Sequence, residues 1–196
     1  MFSDKENLKS EPRVLNGLDI GVGSSVIYPI LGVKEYDWNF VGTDIWQNSL
    51  DIAQKIIDNN ELGSKIKLKH QPHHKRIFKN VVSDTWQYDF CVWNPPFFSS
   101  MIERDPRHSV KNIQSLKTED VTEGGEIGFI CRMIKESYIY KNQIKWFTWF
   151  IAKKMDFEFV KNYIKWMIKD EIEMYEGTIE MGHTKRWLLG WKYLNQ

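Results

Sequence analysis

LDIGVGSSVIYPILGVKEYDWNFVGTDI, residues 18–45, decides the fold class, because it holds one complete strand–turn–helix–strand unit. LNGLDI reads as a short buried strand ending near Ile20, and the glycines at 21 and 23 turn the chain there. Ser24 or Ser25 is the expected N-cap of a short helix, VIYPILGVKEY, which Pro29 is expected to interrupt. WNFVGTDI then reads as a second strand closed by Asp44. Two strands joined through a helix predict a parallel pair.

The same alternation continues outward. Asn48 or Ser49 is the expected cap of the helix LDIAQKIIDNNEL, in which Leu50, Ala53, Ile56 and Ile57 fall at helical spacing. KIKLKH alternates strictly and predicts a third strand with one wet face, whereas IFKNVVS predicts a helical or irregular piece. YDFCVWN is a nearly continuous apolar run, as a central parallel strand covered on both faces requires. A polar loop from Ser99 to Gly125 precedes the helix IGFICRMIKESYIY, the strand QIKWFTWFIA and the amphipathic helix DFEFVKNYIKWMI. EIEMYEGTIE and RWLLGWKYL close the chain as an antiparallel pair. The expected architecture is a three-layer α/β domain with a mostly parallel sheet and one antiparallel strand near its edge.

Length and composition fit one domain: 196 residues, 42% apolar, with residues 1–13 a polar tail and 14–196 the folded unit. No run approaches the about 18 apolar residues of a membrane span, and the charged N-terminus lacks a signal segment, so a soluble, intracellular chain is expected. Cys91 and Cys131 sit inside apolar runs and read as reduced core residues. Most of the nine tryptophans, Trp46, Trp86, Trp93, Trp146, Trp149 and Trp191 among them, also read as core. The net charge of +1 excludes nothing, but residues 65–79, KIKLKHQPHHKRIFK, hold six Lys or Arg, three His and no acid. Such a run serves either as a positive patch or as a sheet edge guarded against aggregation. The five histidines show no metal-ligand spacing, and no metal is expected.

Three elements carry chemistry. Asp19, Gly21 and Gly23 fall at the end of the first strand, where open α/β sheets bind ligands and where glycine lets the backbone approach closely. Asp44 ends the second strand, 21 residues after Gly23, the position from which an acid meets ribose hydroxyls. An ordinary turn with a helix-capping aspartate would use the same residues, and G-x-G alone is weak. The third element is Asn94-Pro95-Pro96-Phe97 at the end of YDFCVW. Prolines there explain a strand stop but leave Asn94 and the Phe97-Phe98 pair unexplained.

An exocyclic amine on a base is a poor nucleophile, because its lone pair is delocalised into the ring. The Asn94 side-chain oxygen and the Pro95 carbonyl could accept both of its N–H bonds, with Pro96 stiffening the pair and Phe97 stacking on the ring. The base would be flipped out of its stack. In order, the three elements predict an S-adenosylmethionine-dependent methyltransferase acting on a planar amine.

LDIGVGSSVIYPILGVKEYDWNFVGTDI, YDFCVWNPPFF, TEGGEIGFICRMIKES and WFTWFIAKK together resemble the RNA adenine-N6 methyltransferases that join the bacterial 23S ribosomal RNA enzyme to the eukaryotic enzyme acting on spliceosomal small nuclear RNA. LDIGVG, GVKEYDW and IKWFT lie nearer the bacterial branch. The resemblance implies a Rossmann-like fold of seven strands with the last antiparallel, S-adenosylmethionine as methyl donor, and transfer to adenine N6 of a structured RNA, foremost 23S ribosomal RNA. By position it implies that Asp19, Gly21, Gly23, Asp44 and Asn94 line the cofactor, and that Asn94, Pro95, Pro96 and Phe97 form the catalytic motif. Glu123 to Glu126, EGGE, stand beside the active-site mouth in a supporting role. The location implied is cytoplasmic for the bacterial branch and nuclear for the eukaryotic one.

Family members carry a sizeable segment before the first strand, and here about a dozen polar residues precede Val14. Two readings stay open: a piece of a longer protein, or a minimal monomeric member whose N-terminal cover comes from a second chain. The alternatives in function are the small nuclear RNA branch, a catalytically weak RNA-binding module, and a DNA adenine or cytosine-N4 methyltransferase. The expected RNA grip is Lys75, Arg76 and Lys79, then Arg104, Arg107 and Lys111, then Lys185 and Arg186, all contacting phosphates without reading sequence.

Overall fold

In the computed structural model, described over residues 13–73, 75–83, 86–93, 125–181 and 184–194, the first strand and its parallel neighbours form the centre of a seven-stranded sheet. The strands are β1 (Asn16–Ile20), β2 (Asn39–Asp44), β3 (Ile66–His70), β4 (Tyr88–Trp93), β5 (Ile144–Ile151), β6 (Ile172–Met181) and β7 (Thr184–Tyr193). Their order is β3-β2-β1-β4-β5-β7-β6, and only β7 runs against its neighbours, paired antiparallel with both β5 and β6. The helices among the described residues are α1 (Ile27–Tyr36), α2 (Gln47–Asn59), α3 (Gly125–Ser137) and α4 (Lys154–Met167). The mostly parallel Rossmann-like sheet expected from the alternation of elements is the one observed.

Two cores flank the sheet. One gathers Val26, Leu50, Ala53 and Ile57 of the α1–α2 side against Phe40 of β2. The larger one packs Ile130, Met133 and Ile134 of α3 and Phe157, Val160 and Ile164 of α4 against Phe147, Trp149 and Trp191 of the sheet. Along β5, Phe147, Trp149 and Ile151 share the face toward that core.

Several local expectations are corrected. Neither Ser24 nor Ser25 caps α1; Val26 occupies the cap position at φ 52° with no side-chain cap bond. Pro29 does not interrupt the helix, because it sits in its first turn, where its missing N–H is not required. Neither Asn48 nor Ser49 caps α2: the helix starts after Trp46, and Ser49 is buried inside it. Trp46 and Trp86 are 39% and 38% exposed rather than core, since β2 has ended before Trp46 and Trp86 precedes β4. Cys91 is fully buried and its thiol is pushed up to about 12 by that burial. No helix among the described residues is long and apolar enough to cross a membrane.

The described part of the 71–87 connection is built of turns, tied at three points. Gln71 donates its backbone N–H to the Asp44 carbonyl at 2.8 Å and its buried side-chain amide to the carbonyls of Ile77 and Lys79. Glu136 of α3 then accepts the backbone N–H groups of Ile77 and Phe78 at 3.0–3.1 Å. A carboxylate thus takes the place of a regular partner for two peptide donors in a segment without helix or strand.

Candidate functional site

At the C-terminal edge of the sheet β1 lies between β2 and β4, with Ile20 opposite Thr43 on one side and Trp93 on the other. The chain leaves β1 toward β2 and arrives again at β4, so a crevice opens where strand order reverses. The turn that fills it contains Gly21 at φ 68° and Gly23 at φ 62°, conformations that an L side chain adopts at a cost. Val22 between them is buried and donates its N–H to the Thr43 carbonyl at 2.8 Å, which sews the turn to β2. Among the described residues a Cβ on Gly23 would meet nothing within 4 Å, and one on Gly21 would rest 3.7 Å from the Trp93 indole nitrogen. Conformation, rather than crowding by the described residues, therefore favours glycine at both positions.

Asp44 closes this turn. One carboxylate oxygen accepts the Gly23 N–H at 3.0 Å and the other the Trp46 N–H at 2.9 Å. Burial raises its pKa from the ordinary carboxylate value, while those backbone donors and nearby His70 pull it back. Each oxygen keeps a further lone pair for a ligand hydroxyl.

Asp19 is in a harsher place. It is 2% exposed, its Oδ2 has no hydrogen-bond partner among the described residues, and burial followed by the charge of Asp44 lifts its pKa well above the usual range. A buried carboxylate oxygen without a partner is a candidate to receive a cation or a donor.

Below the crevice β4 ends on an aromatic stack. The Trp93 ring lies 3.8 Å from Phe129 of α3, nearly parallel, and 5.6 Å from Trp149 of β5. Trp93 is 2% exposed, so the strand end that touches Gly21 is fixed from the opposite face. The next residue in the chain is Asn94.

With this geometry in hand, sequence comparison gives a match to an RNA methyltransferase family over residues 3–195. The chain belongs to this RNA methyltransferase family. It is 35% identical to a protein named ribosomal RNA large subunit methyltransferase F from Flavobacterium psychrophilum, over 92% of this chain and 62% of that protein. It is also 35% identical to the protein of the same name from Christiangramia forsetii, over 96% of this chain and 69% of the relative. The chain thus spans roughly two thirds or less of the length of these relatives. Among solved structures, the N-terminal domain of human METTL16 in complex with SAH matches with a TM-score of 0.75 at 27% identity, covering 95% of this chain and 65% of that one. The METTL16 catalytic domain in complex with the MAT2A 3′UTR hairpin 1 gives a TM-score of 0.75 at 28% identity, covering 93% and 65%.

For a member of the RNA methyltransferase family, the described residues bring Asp19, Gly21, Gly23 and Asp44 together as the sequence suggested. Asn94, Pro95, Pro96, Phe97, Arg104, Arg107 and Lys111 lie outside the described residues, as do Glu123 and Gly124. Lys75, Arg76 and Lys79 are exposed on the connection that leaves β3 beside Asp44. The lysines of β3 and the one just before it are tied to the protein: Lys65 pairs with Asp37, Lys67 bonds the Gly63 carbonyl, and Lys69 bonds the Val81 carbonyl. The second half of the basic run is exposed, and the first half guards an edge strand.

Lys185 is exposed near Glu180, but Arg186 is half-buried. Sequence reasoning passed over Tyr28, whose ring stacks on Phe150 at 5.9 Å, and the exposed pair Ile45 and Trp46 directly after Asp44. An aromatic residue two places after a strand-ending acid was the available signal for Trp46. Tyr28 had none, because its partner comes from a strand 122 positions later (150 − 28).

Proposed function

We propose that this chain, with residues 14–196 as its methyltransferase domain, binds S-adenosylmethionine in the β1 turn and methylates N6 of an adenine in large-subunit ribosomal RNA. The observation that carries this reading is the partnerless buried oxygen of Asp19 beside two positive-φ glycines closed by Asp44, in a chain of an RNA methyltransferase family. Asp19 fits the cationic methionine end of the cofactor, since bringing a positive group to it removes the electrostatic strain of its burial. The free lone pairs of Asp44 fit ribose hydroxyls, and exposed Ile45 and Trp46 offer apolar walls to an adenine ring. The names of the bacterial relatives support ribosomal RNA as the substrate, and the hairpin complex of the structural neighbour supports an RNA of defined shape.

When bound, the cofactor supplies a methyl group on a positively charged sulfur. Asn94 and the Pro95 carbonyl would accept the two N–H bonds of the adenine amine and free its lone pair to form the new N–C bond. The methyl group would pass from the cofactor's sulfur to N6, with the C–S electron pair kept by sulfur and the surplus N6 proton released to solvent. Pro96 would limit the backbone freedom of this clamp, and Phe97 would stack on the flipped base. Lys75, Arg76, Lys79, Arg104, Arg107, Lys111 and Lys185 hold phosphates and set register, not sequence.

Incubation with labelled S-adenosylmethionine and large-subunit ribosomal RNA tests the proposal. Digestion should place the label in N6-methyladenosine, and Asn94→Ala should abolish it. Label on another base or on a protein glutamine would overturn the substrate assignment.

A further inference from the structure

Helix α4 is apolar on two sides. Phe157, Val160 and Ile164 face the core, while Met155, Phe159, Tyr163 and Trp166, spaced four, four and three residues apart, form a second stripe on the outer side. Met155 is 78%, Phe159 49% and Trp166 65% exposed, and Tyr163 is half-buried. The three rings form a ladder along the helix. Phe159 lies 6.0 Å from Tyr163 at an interplanar angle of 15°, and Tyr163 lies 5.8 Å from Trp166. The Tyr163 hydroxyl donates to the Cys131 sulfur of α3, which fixes the middle ring. A helix that only closed the core would carry polar residues on this outer side.

The charge around the far half of the stripe has one sign. Asp156 and Glu158 stand in the first turns of α4, but from Lys161 to Lys169 the chain reads KNYIKWMIK, four lysines and no acid. Lys161 is used within the fold, bridged to Glu176 of β6. Lys165 and Lys169 are exposed and have no ion-pair partner among the described residues. The acids that approach from neighbouring segments are engaged: Asp170 pairs with Lys141, and Glu136 holds the peptide N–H groups of Ile77 and Phe78. Met167, next to Trp166, lines a cavity of about 420 Å³ with Tyr138, Lys169 and exposed Lys135 of α3.

The stripe is also well placed. Helix α4 follows β5 at the ligand edge of the sheet, so the row from Met155 to Trp166 begins there and descends about 16 Å along the helix. The connection that carries Lys75, Arg76 and Lys79 packs on the same side of the sheet, through Ile77 and Phe78. Helix α3 touches both, at Glu136 and at Cys131.

A second copy docked about a two-fold axis would set Lys165 and Lys169 near their own copies. An apolar protein segment would leave both lysines unanswered. Single-stranded RNA answers rings and charges together, because bases stack on exposed aromatic faces while phosphates meet the lysines. Resting on the reading of the substrate as RNA, we propose that the outer face of α4 is a second RNA-binding surface. Phe159 and Trp166 stack unpaired bases there, and Lys135, Lys165 and Lys169 hold the adjoining phosphates. The chain thereby grips a part of the RNA remote from the adenine to be methylated.

Filter-binding titrations of the protein with large-subunit ribosomal RNA and with a single-stranded RNA of mixed sequence test this. Trp166→Ala should weaken both about 5- to 100-fold, the loss of one base stack, and Trp166→Phe should recover most of it. Both variants should melt with wild type, since the ring is mostly exposed. Lys165→Gln and Lys169→Gln should each reduce the slope of log affinity against log salt by about 0.7. Ultraviolet cross-linking should place RNA adducts on the peptide that holds Phe159, Tyr163 and Trp166. Affinity of Trp166→Ala equal to wild type for both RNAs overturns the inference and leaves the substrate reading standing. So does self-association of wild type that Trp166→Ala abolishes while RNA binding persists, which would make the face a protein interface. Wild type that binds neither RNA would overturn the substrate reading together with the inference.

Discussion

The Asp44 carboxylate accepts the Gly23 N–H at 3.0 Å, so the acid that ends β2 closes the turn that ends β1. Its second oxygen does the same for Trp46 at the start of α2. One side chain therefore fixes two backbone segments on the rim of the crevice and still has acceptor capacity for a ligand. Asp44→Ala should lower unfolding stability by about 1–3 kcal/mol in urea titrations, because two backbone donors lose a charged acceptor. It should also weaken S-adenosylhomocysteine binding by at least about tenfold.

Asp19 predicts an opposition between stability and binding. Its folded pKa is raised, so its contribution to stability is fully present below the unfolded value of about 3.9 and is lost as pH rises through the folded value. Asp19→Asn removes that loss and should raise the melting temperature of the ligand-free protein, increasingly so toward higher pH. The same variant should lose cofactor affinity. A melting temperature that falls at all pH values would contradict the electrostatic reading.

Gly23→Ala isolates backbone conformation. Among the described residues nothing lies within 4 Å of the added methyl, so the expected loss of about 1–2 kcal/mol comes from the left-handed φ. Gly32→Ala provides the contrast, because its methyl would stand 2.4 Å from the Phe40 ring. Thermal unfolding of both variants should show the second as the more damaging.

Glu136→Ala should release the 77–78 turn, since both peptide N–H groups lose their acceptor. Amide exchange at Ile77 and Phe78 should speed up selectively, with a stability loss of about 1–3 kcal/mol. Equal loss of protection throughout β3 and β4 would mean that the tie is not local.

Lys75, Arg76 and Lys79 should act as phosphate contacts. Each change to Gln should reduce the slope of log affinity against log salt by about 0.7–0.9, to a similar degree for all RNAs tested. A variant that altered which adenine is methylated would contradict that role.

The layout of strands and helices was legible because period-2 and period-3.6 patterns are local. So was the spacing of Asp19, the two glycines and Asp44, since two consecutive strands place them. The caps were not, because Ser24, Ser25, Asn48 and Ser49 have capping chemistry while the backbone bonds of Val22, Gly23 and Trp46 decide where α1 and α2 begin. Tyr28 and Phe150 were illegible as a pair. Their stacking depends on β5 joining the sheet beside β4, a strand order that no local pattern encodes. The exposure of Trp46 likewise depends on β2 stopping two residues earlier.

Calorimetry of S-adenosylhomocysteine binding to wild type and to Asp19→Asn, repeated in two buffers of different ionisation enthalpy, addresses the β1 turn most directly. The ammonium should lower the raised pKa of Asp19, so wild type should bind saturably and release protons at pH values below the free-state pKa. In Asp19→Asn the affinity and the proton release should both fall. No saturable heat with wild type at millimolar ligand, or equal affinity in the two proteins, would contradict the assignment of this turn as the cofactor site.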